Sequence, residues 1–391
     1  MDNSKNMDEL TQLIQQERIK VAREKIAEYF KDVVHPYFPN CKLRSASPEF
    51  IEGIHIFHGT ILNFEPTNSH LYNSEYSYQK ELQFVHYTSA NNCLNIIREE
   101  SLRMYNLNSM DDSFELKYAT EGSAFNGLSE KQIRNWKENI YSLSMCEIDV
   151  EKEGKSFDNW RRYGDDGNGV GVVLSFDNNN QETWLHRYLS KIHYTPALIE
   201  KIIKAHVKFH RKNKDYHVLG SYQELLVNLC CFHKPPIYSS ENEIRFLEFD
   251  NPFPHDKDYL MLYKTLTGVE SNFIIFRKEI DSWEKFENSK GTSKNKIDSE
   301  IDISKKFEPI RFKRLPISDK MNEKQLEKIT CPFILNNKEH FFPKVKIEKI
   351  IFGYRYDDER ANKLKSVIEE LALTYLGYKI DFETTKLKRY F

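Results

Sequence analysis

Two glutamates separated by one residue, Glu241 and Glu243, form the most chemically suggestive pair in this chain. Side chains of a β-strand alternate between its two faces, so both carboxylates are expected to project from the same face. Adjacent carboxylates raise the pKa of one of them, which would let Glu241 orient or deprotonate another group. The alternative is a surface strand in which an arginine such as Arg245 forms an ion pair with a glutamate.

Hydroxyl and imidazole groups precede this pair in the chain. Ser142 and Ser144 fall on one face of a short predicted strand. Further upstream, His86 is followed by Tyr87 and Thr88 in a segment whose alternating pattern indicates a half-buried strand. These groups could bind a polar ligand, and an ordinary structural histidine is the alternative for His86.

Aromatic and basic residues are mixed in the segment Trp160-Arg161-Arg162-Tyr163. If this segment is helical, Trp160 and Tyr163 lie on one side of it. An aromatic face stabilises a cationic ring stacked on it, and a guanidinium binds pyrophosphate through its forked donors. The alternatives are that Trp160 is a core residue and that the arginines are solvated.

The elements that must position these residues are short strands with interspersed helices, which predicts an α+β fold. Apolar residues recur at three- and four-residue steps over residues 8–34 and predict one amphipathic helix. This helix could pack on its own domain, dimerise or bind a partner protein. We predict that residues 1–80 hold this helix and a connecting segment, and that residues 81–391 form the main domain. Residues 195–232 are predicted to be helical, and residues 288–306 to form an exposed loop.

Composition narrows the class of protein. With 57 basic and 59 acidic residues among 391, the net charge is −2, so no overall field attracts nucleic acid or an anionic membrane. The six cysteines lack metal-ligand spacing, and we expect no metal. The N-terminus lacks an apolar signal core, and no run of about 18 apolar residues is present. These features predict a cytoplasmic protein with reduced thiols and no membrane association.

Several segments, taken in order, carry a family resemblance. They are HYTSANNCLNIIREESLRM, NSMDDSFE, YSLSM, NWRRYGDDGNGVGVVLSF, ENEIRF and FFPKVKIEKIIFGYR. Together they resemble a bacterial family catalogued as domain-of-unknown-function 2971, which is grouped with the ADP-ribosyltransferase superfamily. The resemblance covers residues 82–391 and leaves residues 1–80 outside it.

The resemblance implies an ADP-ribosyltransferase-like split β-sheet core with flanking helices, and NAD as a substrate. It assigns Glu243 the contact with the nicotinamide ribose and Glu241 the role facing the acceptor of ADP-ribose. The residues it assigns to NAD binding are His86, Tyr87, Thr88, Ser142, Ser144, Trp160, Arg161 and Tyr163. In toxin-like relatives a Ser-x-Ser segment braces the catalytic glutamate, and Ser142 with Ser144 resembles it.

A second histidine competes with His86 for the NAD-binding position. His58-Gly59-Thr60 resembles the opening of the eukaryotic polymerase branch of the superfamily. The residues that follow it lack the helix expected there, so we prefer His86.

The expected function is therefore NAD-dependent ADP-ribosyl transfer to an unidentified protein, nucleic acid or nucleotide. The resemblance implies a bacterial toxin or an anti-phage defence effector. Two alternatives remain within the same fold: a catalytically inactive member that binds a nucleotide or a protein, and an NAD glycohydrolase. A nuclease is disfavoured because no spaced acidic and histidine cluster accompanies a metal site.

Overall fold

The computed structural model describes residues 16–17, 19–51, 57–64, 73–78, 82–109, 117–120, 137, 140–177, 184, 187–214, 216–249, 312–317 and 343–390. The chain divides into two compact units, each assembled from separate stretches. The first unit comprises residues 1–77, 113–129 and 193–236, and the second comprises residues 78–112, 130–192 and 237–391. The sequence prediction used a single boundary between residues 80 and 81, whereas these units are discontinuous.

Strands and helices alternate irregularly along the chain. The strands are β1 (Leu43–Ile51), β2 (Phe57–Phe64), β3 (Gln83–Thr88), β4 (Ser101–Asn106), β5 (Ile140–Glu147), β6 (Val170–Phe176), β7 (Arg187–Lys191), β8 (Tyr216–Gly220), β9 (Glu243–Phe249), β10 (Phe312–Pro316), β11 (Val345–Phe352) and β12 (Asp381–Thr384).

The α-helices are α1 (residues 19–29), α2 (Ala90–Arg98), α3 (Lys117–Thr120), α4 (Ile148–Lys152), α5 (Phe157–Arg162), α6 (Ala197–Lys212), α7 (Ser221–Cys230) and α8 (Asp358–Leu371). Short 3₁₀ segments cover Leu107–Ser109, Asp165–Gly167, Pro236–Glu241 and Lys386–Tyr390, and π-helical turns cover Phe30–Val34 and Ala372–Leu376.

The first unit joins the sheet β1-β2-β8 to helices α1, α6 and α7. Its α1 packs against α6: the Tyr29 ring meets Phe209 edge-to-face at 4.9 Å, and its hydroxyl lies 2.7 Å from His206 Nδ1. Lys25 also donates to Asn213 at 2.7 Å. The described part of the predicted 8–34 helix therefore packs within its own chain. His58 lies on β2 of this unit, in a different sheet from His86.

Two histidines, the partly buried His206 and the buried His233, are expected to make the first unit sensitive to acid. Burial, with added repulsion from His210, lowers the pKa of His206 to about 4, and burial likewise lowers the pKa of His233 to about 4. An unfolded histidine has a pKa near ~6.5, so below that pH the unfolded chain binds protons that the folded unit refuses. Stability is thus fully present above pH ~6.5 and is lost as the pH falls toward the folded pKa.

We expect α6 amides to lose protection against hydrogen exchange at pH 5 relative to pH 7, by on the order of 1–2 kcal/mol per buried histidine after correction for intrinsic rates. His206→Gln and His233→Gln should each weaken this pH dependence. The matched control is His35→Gln, because His35 is exposed. Equal pH dependence in all three variants would show that other groups cause it.

The second unit is built on a nine-stranded mixed sheet, which with its helices makes the fold α+β as predicted. Its strands run in the order β10-β4-β5-β3-β6-β11-β12, and β9 pairs with both β5 and β7. Strand β6 reads VGVVLSF and is almost wholly buried, because β-branched residues pack well where a strand has neighbours on both edges. Strand β12 lies at the end of this strand order and runs parallel to β11.

The sheet divides at β5. Along one edge β5 pairs with β9 over its length. Along the other edge it pairs with β4 at residues 141–142 and with β3 at residues 146–147. Strand β3 then continues beside β6. Two half-sheets, β10-β4-β5-β9-β7 and β3-β6-β11-β12, are therefore joined only through the short β3–β5 ladder among the pairings of the described strands.

Several sequence predictions agree with these elements and others do not. Strands β3 and β5 lie where the patterns around His86 and around Ser142 and Ser144 predicted strands. The predicted helical stretch 195–232 is wrong in part, because strand β8 separates α6 from α7. Strands β7 and β10 were not predicted. The loop predicted at residues 288–306 lies outside the described residues.

Candidate functional site

Glu243 is the first residue of β9, directly opposite Cys146 of β5. Its Oε1 accepts a hydrogen bond from Ser144 Oγ at 2.6 Å and another from Arg245 Nε at 2.9 Å. Only 4% of Glu243 and 1% of Arg245 are exposed. The register explains the contact, since Ser144 pairs with Arg245 and strand alternation places all these side chains on one face.

The Glu243–Arg245 contact is the ion pair that the sequence left open as an alternative. It is buried, however, and not on a strand surface as that alternative supposed. A buried carboxylate is costly unless it is paired and hydrogen-bonded, and here a guanidinium and a hydroxyl satisfy one oxygen. The carboxylate is therefore held in one orientation by two donors.

Glu241 does not lie in the strand, which corrects the prediction that alternation sets it beside Glu243. It ends the 3₁₀ segment Pro236–Glu241, and Asn242 then adopts a left-handed conformation with φ of 46°. Asparagine tolerates this conformation better than most residues, and the resulting bend separates the two glutamates structurally. Glu241 is nonetheless buried.

The Glu241 carboxylate contacts the end of α5. Its Oε1 accepts from the Tyr163 hydroxyl at 2.6 Å and from Arg162 Nη1 at 3.3 Å. Its main-chain carbonyl accepts from Asn159 Nδ2 at 3.3 Å and from Cys146 Sγ at 3.2 Å. Helix α5 and β5 therefore hold the turn that carries Glu241.

Tyr163 links the two carboxylates electrostatically. Partial burial of its phenol, the hydrogen bond to Glu241 and the charges of Glu241 and Glu243 raise the pKa of Tyr163 well above the usual range, and Arg162 opposes them. Tyr163 therefore lies close enough to feel the charges of both carboxylates, although Glu241 is outside strand β9. About 48% of Tyr163 is exposed, so its ring forms part of the rim of the site.

This arrangement predicts that the Tyr163 phenol stays protonated at alkaline pH. A raised folded pKa means that the contribution of Tyr163 to stability is present below pH ~10 and lost above it. The measurement is the phenolate absorbance difference between the wild type and Tyr163→Phe. We expect the folded wild type and the folded Tyr163→Phe variant to show equal phenolate absorbance near pH ~10. A difference of about half a phenolate at that pH, as an unperturbed tyrosine with a pKa of ~10 would give, would contradict the Tyr163–Glu241 contact.

His86 is the residue of β3 that directly follows the short ladder with β5. Its Nδ1 lies 3.0 Å from the Ser144 carbonyl, and since a carbonyl only accepts, Nδ1 carries the proton. Burial lowers the pKa of His86, although the bond to Ser144 raises it. Val85 pairs with Cys146 on the Glu243 face, so alternation places His86 on the opposite face at that point. His86 therefore does not share the Glu243 face, as a common NAD site would require. Ser144 contacts His86 through its main-chain carbonyl and Glu243 through its hydroxyl.

Ser142 lies two residues before Ser144 on the same face of β5, as predicted. Ser142 is buried, and its hydroxyl has no hydrogen-bond partner among the residues that the structure describes. A buried hydroxyl without a partner costs free energy, so it is a group to which a polar ligand could donate or from which it could accept.

Trp160 is the clearest correction to the predicted site. It is fully buried, and its indole N–H donates to Glu151 at 2.9 Å, so it cannot stack on a ligand ring. Tyr87 is also buried and donates its hydroxyl to Glu151 at 3.0 Å. Both belong to the small core between α5 and the sheet, together with Val85 and Cys146. The alternative interpretation of Trp160 as a core residue is the right one.

The remaining predicted residues lie around this core. Thr88 ends β3 and is buried, and a side chain at Gly169 would clash with the Thr88 carbonyl. Arg161 is exposed, and the neighbouring Arg162 makes the described contact with Glu241. Sequence reasoning did not single out Asn159 or Glu151. Asn159 begins the family segment NWRRYG, whereas no motif or spacing marks Glu151.

Two properties of the described residues complete the picture. No group of three or more histidine, cysteine, aspartate or glutamate side chains among them is arranged to hold a metal ion. Of the helices in the described ranges, none is both long and apolar enough to cross a membrane.

Comparison with known proteins gives one match. Residues 159–246 match the model of a family described as "Protein of unknown function (DUF2971)". That stretch begins in α5 and ends in β9, so it contains both carboxylates together with Arg162, Tyr163 and Arg245. No curated protein and no solved structure matches the chain.

Proposed function

We propose that this chain breaks the bond between nicotinamide and ribose in NAD⁺ and transfers ADP-ribose to an acceptor. The observation that carries the proposal is the Glu243 carboxylate, which Ser144 and Arg245 hold at the division of the sheet. The split between β3 and β5 supports an ADP-ribosyltransferase-like fold. The ordered resemblance of segments and the match at residues 159–246 are consistent with it.

The chemistry needs few groups. Positive charge grows on the ribose as the nicotinamide leaves, so a carboxylate near the sugar stabilises the transition state more than the ground state. Nicotinamide is already a good leaving group, and the carboxylate needs chiefly to be preorganised. In our proposal Ser144 and Arg245 supply that preorganisation, because they fix one oxygen of Glu243.

The second carboxylate serves the acceptor. Glu241 would take the proton from the acceptor group as its bond to the ribose forms, while the electron pair of the broken bond leaves with nicotinamide. Arg162 and Tyr163 orient Glu241. Tyr163, and not the buried Trp160, is then the aromatic residue able to stack on the cationic nicotinamide ring.

The polar groups nearby fit a nucleotide ligand. The Ser142 hydroxyl is buried beside Ser144, on the Glu243 face of β5, and has no described partner. His86 lies on the opposite face of the sheet and is not one of these groups. The setting as a bacterial toxin or anti-phage effector, and an acceptor that is a protein or nucleic acid, rest on the sequence resemblance alone.

One observation favours a second function. Arg245 neutralises Glu243 in a nearly inaccessible pair, which would weaken the field at a developing cation. A member of the fold that binds a nucleotide without turning it over would have this property. An NAD glycohydrolase, in which water replaces the acceptor, is the third outcome to distinguish.

One experiment separates these functions. The purified protein is incubated with NAD⁺, and free nicotinamide and free ADP-ribose are quantified together with ADP-ribose bound to macromolecules by mass spectrometry. Nicotinamide in excess of free ADP-ribose, with adducts, supports transfer, and equal amounts indicate hydrolysis. Binding of NAD⁺ without nicotinamide release would identify the inactive binder. If the protein neither binds NAD⁺ nor releases nicotinamide, the proposal is wrong.

A further inference from the structure

Glu151 of α4 is a buried carboxylate on which three donors converge. Its Oε2 accepts from Tyr87 at 3.0 Å and from the Trp160 indole at 2.9 Å, and its Oε1 accepts from the Thr385 hydroxyl. Only 4% of Glu151 is exposed. The three donors come from β3, from α5 and from the residue that follows β12, so one side chain joins three distant stretches of chain.

All three donors are neutral groups. A carboxylate taken out of water is stabilised when it accepts several hydrogen bonds, and bonds to a charged acceptor are about twice as strong as neutral ones. Burial and the charge of Glu151 raise the pKa of the Tyr87 phenol, which keeps it a donor. The junction is therefore strong and directional.

One arm of this junction leads to the candidate site. Trp160 lies in α5, whose last residue and C-cap, Arg162 and Tyr163, contact the Glu241 carboxylate. Asn159, beside Trp160, donates to the Glu241 carbonyl. The orientation of α5 thus decides where Glu241 is held.

The other arm leads to the end of the chain. Thr385 also accepts from the Leu387 amide at 3.3 Å, at the start of the 3₁₀ segment Lys386–Tyr390. Leu387 packs in the same small core as Trp160, and Lys386 donates to the Lys152 carbonyl at 2.7 Å. The C-terminal segment and α5 consequently share one anchor.

We infer that Glu151 is a positioning residue for the candidate site: it fixes α5, and through α5 the Glu241 turn, and it makes the segment Thr385–Tyr390 part of the same support. This inference stands on hydrogen bonds and burial, and it does not depend on the reaction proposed above.

The test is hydrogen exchange on the full-length protein with Glu151→Gln, which keeps the shape but removes the charge. We expect exchange at residues 157–164 and 386–390 to rise by ~10–100-fold, the equivalent of one charge-assisted hydrogen bond. Residues 170–176 of the central strand should stay protected. In the same variant, the pKa of Tyr163 should fall, because the contact of Tyr163 with Glu241 loosens. The phenolate absorbance of Tyr163 is obtained by subtracting the absorbance of Glu151→Gln/Tyr163→Phe.

The matched control is Glu248→Gln. Glu248 is also buried, it pairs with Arg187 at 2.8 Å, and it lies on the face of β9 opposite to Glu243. This variant should leave residues 157–164 protected. Thr385→Val, a milder change, should loosen both residues 157–164 and 386–390. The inference is overturned if Glu151→Gln raises exchange evenly along the chain, if Glu248→Gln exposes residues 157–164 as much as Glu151→Gln does, or if Thr385→Val affects residues 386–390 alone.

Discussion

Replacing Glu243 with glutamine is expected to slow nicotinamide release from NAD⁺ by ~10²–10³-fold, the scale of losing one preorganised electrostatic group. Glutamine keeps the volume and the hydrogen-bonding shape but removes the charge that would stabilise the developing cation. NAD⁺ affinity should change much less, because the ribose carries no such charge in the ground state. The measurement is single-turnover release of nicotinamide alongside equilibrium binding of NAD⁺.

The change also leaves Arg245 without its buried partner, so loss of stability must be separated from loss of chemistry. Glu248→Gln serves as the control, because it breaks a buried Glu–Arg pair in the same strand on the other face. It should lose stability and keep the rate of nicotinamide release. Wild-type turnover by a folded Glu243→Gln protein would remove Glu243 from the proposed site and leave it a structural ion pair.

The residues that the sequence predicted best are those whose geometry follows from strand periodicity. Ser142 and Ser144 share a face because side chains alternate, and Glu243 begins the strand that pairs with them. The bracing of Glu243 by Ser144 was expected from the family resemblance, and the structure contains that hydrogen bond. Alternation within a regular strand is visible in the sequence, whereas the register that sets Ser144 opposite Arg245 comes from the structure.

The predictions that failed depend on information that periodicity does not carry. Glu241 leaves the strand because Asn242 takes a left-handed conformation, a choice made by the tertiary contacts of the turn. Trp160 is buried because Glu151, nine residues earlier, gives its indole a partner. Strand β8 interrupts a helical pattern because it pairs with β2, more than 150 residues away in the chain.

Replacing Arg245 with methionine is expected to destabilise the second unit by about 3–5 kcal/mol, the cost of leaving a buried carboxylate without its counter-ion. The side chains of the pair are 1% and 4% exposed, so water cannot substitute for the missing guanidinium. Trp160 and Trp184 are buried in the second unit, so urea unfolding followed by tryptophan fluorescence reports on it.

The double variant Glu243→Gln/Arg245→Met decides whether the pair is the cause. Removing both charges leaves no uncompensated ion, so the double variant should be more stable than Arg245→Met alone. It should nonetheless remain inactive toward NAD⁺, because the carboxylate is still missing. The pair is not the buried anchor that orients Glu243 if the losses in free energy of unfolding from the two single changes simply add in the double variant. The same conclusion follows if Arg245→Met lowers the free energy of unfolding by less than ~1 kcal/mol. An anchor with a large coupling free energy, in contrast, would explain how a lone carboxylate is held ready at the division of the sheet.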